Sequence, residues 1–206
     1  MTYRNHTKYC FDFVLAIVLI FIFFPILIIL FFLILLIDRH YPFFLHYRIG
    51  KNGKKFKIIK FKTMKLKNDQ FNKIMKDVNK KQEWIKYQKI SSDPRITSFG
   101  KILRRYFLDE LPQLFNILLG NMSFVGPRPI VKEEISKYGE LFIFYKKCNP
   151  GLTGLWQVKR NPNTNFEKRA EFDKEYFEKL SLILDIKIIL STIKILIKAK
   201  GDWLDK

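Results

Sequence analysis

The chain has 206 residues, room for one core domain with a few added elements. Its 38 Lys and Arg against 19 Asp and Glu leave a formal charge of +19, which calls for an acidic partner: nucleic acid, an anionic membrane surface or phosphorylated substrates. Two cysteines, Cys10 and Cys148, stand far apart without companion ligands, which argues against a disulfide framework or a zinc site and reads as two buried thiols in a reducing compartment.

In chain order, the first feature is an almost unbroken apolar run from Phe11 to Ile37, interrupted only by Asp12 and Pro25. About 27 residues at about 1.5 Å each exceed the thickness of a hydrocarbon core. The run is too long for a signal peptide and no small-residue cleavage site follows it. Pro25, near its centre, removes a backbone donor. Both flanks are basic, with Arg4 and Lys8 before and Arg39, Arg48 and Lys51 after. A simple span would send one positive flank outside, against the positive-inside tendency, whereas a helix bent at Phe24-Pro25 keeps both on the cytoplasmic face. A Pro-kinked transmembrane helix is tolerated well enough that the sequence leaves both readings open. Lys8 and Asp12, four apart, are spaced to pair near the membrane surface.

From Pro42 to Met64 the pattern becomes strand-like, with two β-rich runs flanking Lys51-Asn52-Gly53-Lys54, a strong hairpin signal. Residues 67 to 92 are rich in Lys, Asn and Gln, with sparse apolar positions (Phe71, Ile74, Met75, Val78, Trp84, Ile85), and read as one or two surface helices. Asp93-Pro94-Arg95-Ile96-Thr97 reads as a turn leading into a helix that carries Lys101, Arg104 and Arg105.

The stretch from Phe107 to Pro129 then places two adjacent carboxylates, Asp109 and Glu110, in an apolar segment and ends in Gly126-Pro127-Arg128-Pro129. Carboxylates among guanidinium groups suit chemistry on phosphate: Arg forks match phosphate oxygens, while a carboxylate holds a metal or attacks phosphorus. On these few residues alone, Asp109 as a helix N-cap and Glu110 as a first-turn acid is the simpler reading. Val131 to Lys147 has amphipathic helical spacing, and Leu182 to Ile197 reads as a basic amphipathic helix with Lys187, Lys194 and Lys198 interspersed.

Taken together, the apolar segment, the hairpin ending in Phe61-Lys62-Thr63-Met64, the Asp93–Thr97 turn, the Asp109–Pro129 block and Pro150-Gly151-Leu152-Thr153-Gly154-Leu155-Trp156-Gln157-Val158 resemble the bacterial sugar transferases that act as polyprenyl-phosphate phosphoglycosyl transferases. The likeness covers essentially the whole chain and is greatest to the small monotopic members made of the catalytic core alone.

The resemblance implies an α/β, mostly helical fold, with residues 1–40 a re-entrant membrane helix and residues 41–206 a membrane-associated catalytic domain on the cytoplasmic side of the bacterial inner membrane. It implies that Asp109 is the nucleophile and that Glu110, with Asp109, holds Mg²⁺. Arg128, stiffened by Pro127 and Pro129, falls in the phosphate site of the nucleotide sugar, with Arg95, Arg104, Arg105 and Arg160 as further substrate-binding residues. The implied reaction moves a sugar 1-phosphate from a UDP-sugar to polyprenyl phosphate and releases UMP, as the first membrane step of a lipid-linked glycan (capsule, O-antigen, exopolysaccharide or glycoprotein) whose later glycosyltransferases are expected partners.

It also implies a loop near the sugar or nucleotide at 150–158, with Trp156 in a packing role, and structural roles for Phe172, Asp173, Tyr176, Ser181 and Asp185. This chain departs from the family in three places: Phe24 stands where many small members have Ser, Tyr9 follows Lys8 in place of an Arg, and Val158-Lys159-Arg160 is a residue short of the usual Gly-Arg segment. The rival reading is a non-catalytic, membrane-anchored basic protein on anionic lipid or nucleic acid. It gives no role to Asp109-Glu110, and no zinc-finger, RNP or P-loop pattern accompanies it, so no nucleic acid is expected.

Overall fold

The structure, a computed structural model, describes residues 6–65, 74–87, 90, 93–161 and 164–199. Arg4 and Phe71 lie outside them, as do the side chains of Trp84, Ile85 and Lys198. Among the described residues the fold is mostly helical, with two small two-stranded sheets.

Helix α1 (His6–Leu33) takes up the apolar run and continues through Pro25 into a wider π-type turn, Ile34–Asp38, closed by Arg39 in the left-handed region at φ 53°. Together they are long and apolar enough to cross a membrane. One stripe of α1 faces the rest of the protein. Ala16, with Leu15, Leu19, Ile20 and Phe23, joins a core that includes Ile58, Leu114, Ile117 and Met122. Leu27, Leu30 and Ile34 join a second cluster with Phe61 and Leu103. Around the proline, Phe21, Ile22, Phe24 and Ile26 are exposed, Phe21 to 84%.

Both ends of this segment are tied to the same body by polar contacts. Lys8 donates to Asp185 at 2.6 Å and lies 3.8 Å from Asp12, whose carboxylate accepts from the Phe124 backbone N–H. At the far end, Asp38 accepts from Thr97 Oγ1 at 2.8 Å. These polar contacts, directional where apolar contact is not, help to fix how the helix seats.

The hairpin forms as expected. Strand β1 (Phe43–Ile49) pairs antiparallel with β2 (Lys55–Phe61), and the turn uses Asn52 (φ 57°) and Gly53 (φ 73°) in left-handed geometry. Its pleat sends Phe56 and Ile58 into the core and leaves Lys55 and Lys57 outside. Helix α2 (Val78–Tyr87) lies in the charged segment, as expected there. Thr97 caps α3 (Ser98–Arg105) by accepting from the Gly100 N–H at 2.8 Å. After a short 3₁₀ turn, Leu108–Glu110, come α4 (Gln113–Leu118) and β3 (Ser123–Val125).

Three expectations are corrected. Residues 131–147 form no single helix but a 3₁₀ turn, α5 (Ile135–Tyr138), a second 3₁₀ turn and α6 (Phe142–Tyr145), because Gly139 sits at φ 50°, where the helical path ends. Tyr138 and Tyr145 are nevertheless buried, as amphipathic spacing requires of one face. The 150–158 stretch is no loop: it is β4 (Gly151–Thr153), parallel to β3, followed by α7 (Leu155–Lys159). Cys10 is exposed, and only Cys148 is a buried thiol. The chain closes with α8 (Phe166–Glu178) and α9 (Leu182–Ala199).

Candidate active site

The carboxylate pair stands where β2, α3 and the start of α4 meet. Phe107 adopts φ 56°, ψ 19°, an unfavourable conformation for a bulky residue, and this turns the chain sharply out of α3. Leu108 and Leu111, three apart, then pack into the cluster of Phe61 and Leu103 and pin the turn from both sides. Asp109 and Glu110 therefore sit on a fixed 3₁₀ turn. Neither caps a helix: α4 begins after Pro112 without a side-chain cap, which removes the simpler structural reading of Asp109.

The two carboxyls are driven apart electrostatically. Burial pushes Glu110 up, but the Lys60 ammonium, donating to Oε1 at 2.5 Å, outweighs it and holds the group below its ordinary range. Burial and the adjacent Glu110 charge push Asp109 up to about 6, against the pull of Lys60 and Arg104. Such a split between neighbouring acids is typical of functional sites. The site is open to a substrate, since Glu110 is 31% and Lys60 25% exposed at the side chain.

Of the expected arginines, Arg104 reaches the pair. Its Nε donates to Thr63 Oγ1 at 2.8 Å, which aims the guanidinium into the field of Asp109 and Asp93. Arg95 instead clasps Asp93, with Nε at 2.9 Å from Oδ1 and Nη2 at 2.5 Å from Oδ2. That fork orders the turn, and the Arg95 carbonyl accepts from Lys65 N, four residues beyond β2. Arg105 is exposed, 6.0 Å from the centroid of the Tyr106 ring.

Arg128 is held out from a turn pinned on three sides. The hairpin grips it by Ile49 N donating to Ile130 O at 2.9 Å, with the Tyr145 hydroxyl bridging Ile49 O and Ile130 N. Strand β4 grips it by Gly126 N donating to Thr153 O and Gly151 N to Pro127 O. Helix α8 supplies Arg169 Nη2, which donates to the Arg128 carbonyl at 3.1 Å. The backbones run so close that a Cβ on Gly126 would collide with Asn149 O and Gly151 N. Pro127 and Pro129 are buried while Arg128 is exposed, so stiff backbone presents one guanidinium, electrostatically coupled to Glu110.

Trp156 packs between two guanidiniums, Arg160 at 5.4 Å and Arg169 at 5.2 Å from its ring, in keeping with a packing role. Burial, and then the Arg128 charge, lower Arg160 to about 10. The residues assigned structural roles hold the frame. Asp173 accepts from the Tyr138 hydroxyl at 2.6 Å, Ser181 Oγ accepts from Leu184 N, and Tyr176 joins Asp185 to the Val125 carbonyl.

Sequence reasoning missed Lys60, Arg48 and Arg169. Each sits in an ordinary amphipathic pattern, and only contacts across tens of residues single it out. For a metal, the carboxylates of Asp109 and Glu110 are the donors in place. Among the described residues no group of three or more His, Cys, Asp or Glu supplies a complete cage.

The profile described as Bacterial sugar transferase matches residues 3–199. The chain is 38% identical over 200 residues to the exopolysaccharide production protein ExoY of Rhizobium meliloti, covering 95% of this chain and 88% of that one. It is 38% identical over 198 residues to the undecaprenyl-phosphate galactose phosphotransferase of Salmonella typhimurium, covering 95% of this chain and 41% of that one. It is 35% identical over 191 residues to the UDP-glucose:undecaprenyl-phosphate glucose-1-phosphate transferase of Escherichia coli, covering 88% and 38%. The chain thus spans most of the first relative and about two fifths of the two longer ones. With nearly its whole length matched, it belongs to the bacterial sugar transferase family.

Proposed function

We propose that this protein transfers a sugar 1-phosphate from a UDP-sugar to undecaprenyl or a related polyprenyl phosphate, releasing UMP, as the first membrane step of a lipid-linked glycan. The observation that carries the reading is the Asp109–Glu110 pair on its pinned turn, with Lys60, Arg104 and Arg128 converging on it. The names of the relatives from Salmonella and Escherichia coli support the acceptor and the reaction class.

In the proposed sequence an Asp109 carboxylate oxygen attacks the phosphorus that carries the sugar. The bond from that phosphorus to the bridging oxygen breaks, and UMP leaves with the electron pair. An oxygen of the lipid phosphate then attacks the same phosphorus, and Asp109 departs as carboxylate, so the sugar ends on a diphosphate-linked lipid. With Asp109 titrating near 6, most of it is ionised at neutral pH and fit to attack. Arg128 and Arg104 neutralise phosphate oxygens that would otherwise repel an anionic nucleophile.

Magnesium fits this donor set, because it commonly takes one or two carboxylates and completes its shell with substrate phosphate and water. Asp109 and Glu110 would hold it. When bound, it supplies Lewis-acid neutralisation of the diphosphate.

A re-entrant placement of α1, in the inner membrane with the catalytic body on the cytoplasmic face, is supported by its two tethered ends. Lys8 on Asp185 and Asp38 on Thr97 both hold to one body, whereas a crossing helix would set about 30 Å of hydrocarbon between them. The exposed apolar residues flanking Pro25 would then be the deepest in the lipid. Helix α9 adds an exposed stripe of Ile183, Ile186, Leu190, Ile193 and Ile197 beside Lys187 and Lys194, suited to an anionic interface. On this reading the boundary near residue 40 separates an insertion from a catalytic domain.

The test is UMP release from a panel of UDP-sugars by protein in nanodiscs with undecaprenyl phosphate and Mg²⁺. Release from one sugar, abolished by Asp109→Asn and by EDTA, is expected. Undiminished release by Asp109→Asn would remove the nucleophile assignment, and silence across the panel would favour a non-catalytic basic membrane protein.

A further inference from the structure

Arg48 was noted in the sequence only as a flanking charge, yet the fold sets it in the active-site region. Register pairs Arg48 with Phe56 and Phe44 with Lys60, so Arg48 and Lys60 share one face of the hairpin, four residues apart. At about 3.3 Å per residue that separation is about 13 Å, the scale of a nucleotide rather than of a single phosphate. Lys60 holds Glu110 at one end. At the other, Arg48 lies within the electrostatic reach of Arg128 and Arg169, and Arg160 within that of Arg128.

Four guanidiniums thus gather around one turn, with the carboxylates of Glu110, Glu134 and Asp173 among them. Three donors there, Arg48 Nε, Arg169 Nε and Trp156 Nε1, are shielded from solvent and have no hydrogen-bond partner. Buried donors are ordinarily satisfied, so three together point to an acceptor supplied from outside the chain. An open cleft of about 530 Å³, lined by Arg48 with His46, Tyr47, Lys55, Lys132 and the carboxylate of Glu133, adjoins the cluster and is within the range of small-molecule sites.

We infer that Arg48, with Arg160 and Arg169, seats the phosphate of the departing nucleoside monophosphate, with its nucleoside in the cleft at the hairpin end. The inference rests on the transfer reaction proposed above and assigns the two phosphate-bearing substrates to different sides of Arg128. The lipid phosphate belongs on the Arg104 side, because α3 packs near the end of the membrane segment, through Thr97 on Asp38, and exposes Ile102 and Tyr106. Trp156 does not stack on the base, since both its neighbours are guanidiniums.

The test is calorimetric titration of UMP into the full-length protein in nanodiscs, for wild type, Arg48→Gln, Arg48→Lys and the exposed control Lys101→Gln. A tenfold or greater loss of UMP affinity is expected in Arg48→Gln, a smaller loss in Arg48→Lys, and none in the control. In steady state, Arg48→Gln raises KM for the UDP-sugar and leaves KM for polyprenyl phosphate unchanged. Wild-type UMP affinity in both folded Arg48 variants overturns the inference, as does a rise confined to the lipid's KM. If wild type binds UMP through Arg48 yet transfers nothing, the seat stands and the proposed reaction falls. If wild type transfers while Arg48 is indifferent, the reverse holds.

Discussion

Replacing Asp109 with Asn should stop the enzyme and stabilise the protein at once. Burial and the adjacent Glu110 charge raise Asp109 from 3.8 to about 6. The folded state therefore binds this proton more tightly than the unfolded chain. As pH rises from about 4 through 6, the folded protein alone must give up a proton it favours, so stability falls over that window and the deficit persists at neutral pH. About two pK units at about 1.4 kcal/mol each set a ceiling near 3 kcal/mol, and partial solvent access brings the expectation to about 1–3 kcal/mol. For a chain of this size that is a rise of roughly 3–10 °C in apparent Tm.

Thermal unfolding of wild type and Asp109→Asn in nanodiscs, from pH 5 to 8 without divalent cation, measures it. The gap should be widest above pH 7 and narrow steadily below pH 6. Adding Mg²⁺ should raise wild type more than the variant, because a cation relieves the same repulsion. An inactive variant no more stable than wild type at pH 7.5, or a gap indifferent to pH, would refute the claim that the charge on Asp109 is disfavoured in the folded protein.

Three further outcomes follow from the same geometry. Lys60→Met removes a charge that lowers Asp109, so the acidic limb of the kcat/KM–pH profile should move to higher pH, and a limb that stays put would show that Lys60 does not tune the nucleophile. Lys8→Met leaves the buried Asp185 without its ammonium and should cost about 3–5 kcal/mol, read as a fall in Tm; the paired change Lys8→Met with Asp185→Leu should recover much of it. Gly126→Ala forces a Cβ against Asn149 O and Gly151 N, so it should abolish UMP release and lower Tm, and a fully active variant would mean that the Arg128 turn is not rigid.

Much of the candidate site was legible because its signals are local. Asp109, Glu110 and the Pro127-Arg128-Pro129 turn lie within one contiguous block, and Asn52-Gly53 fixed the hairpin through the φ values those residues tolerate. Thr97 was readable at the head of a helix for the same reason. Where the reading slipped, backbone context outweighed spacing. Gly139 divides a segment whose apolar period runs on across it, and a β3 partner turns Gly151–Thr153 from loop into strand.

The sequence by itself determined the long apolar segment, the family and the position of the adjacent carboxylate pair, since apolar length, turn chemistry and motif order all live in neighbouring residues. Only the tertiary structure decided which distant groups the cations meet. Lys60 meets Glu110 across 50 positions, Arg169 meets Arg128 across 41, and Lys8 meets Asp185 across 177. A lysine in a strand or an arginine in a helix carries no mark of its distant partner. The fold brings the charges together, and where it buries them their attraction is strong enough to set the chemistry.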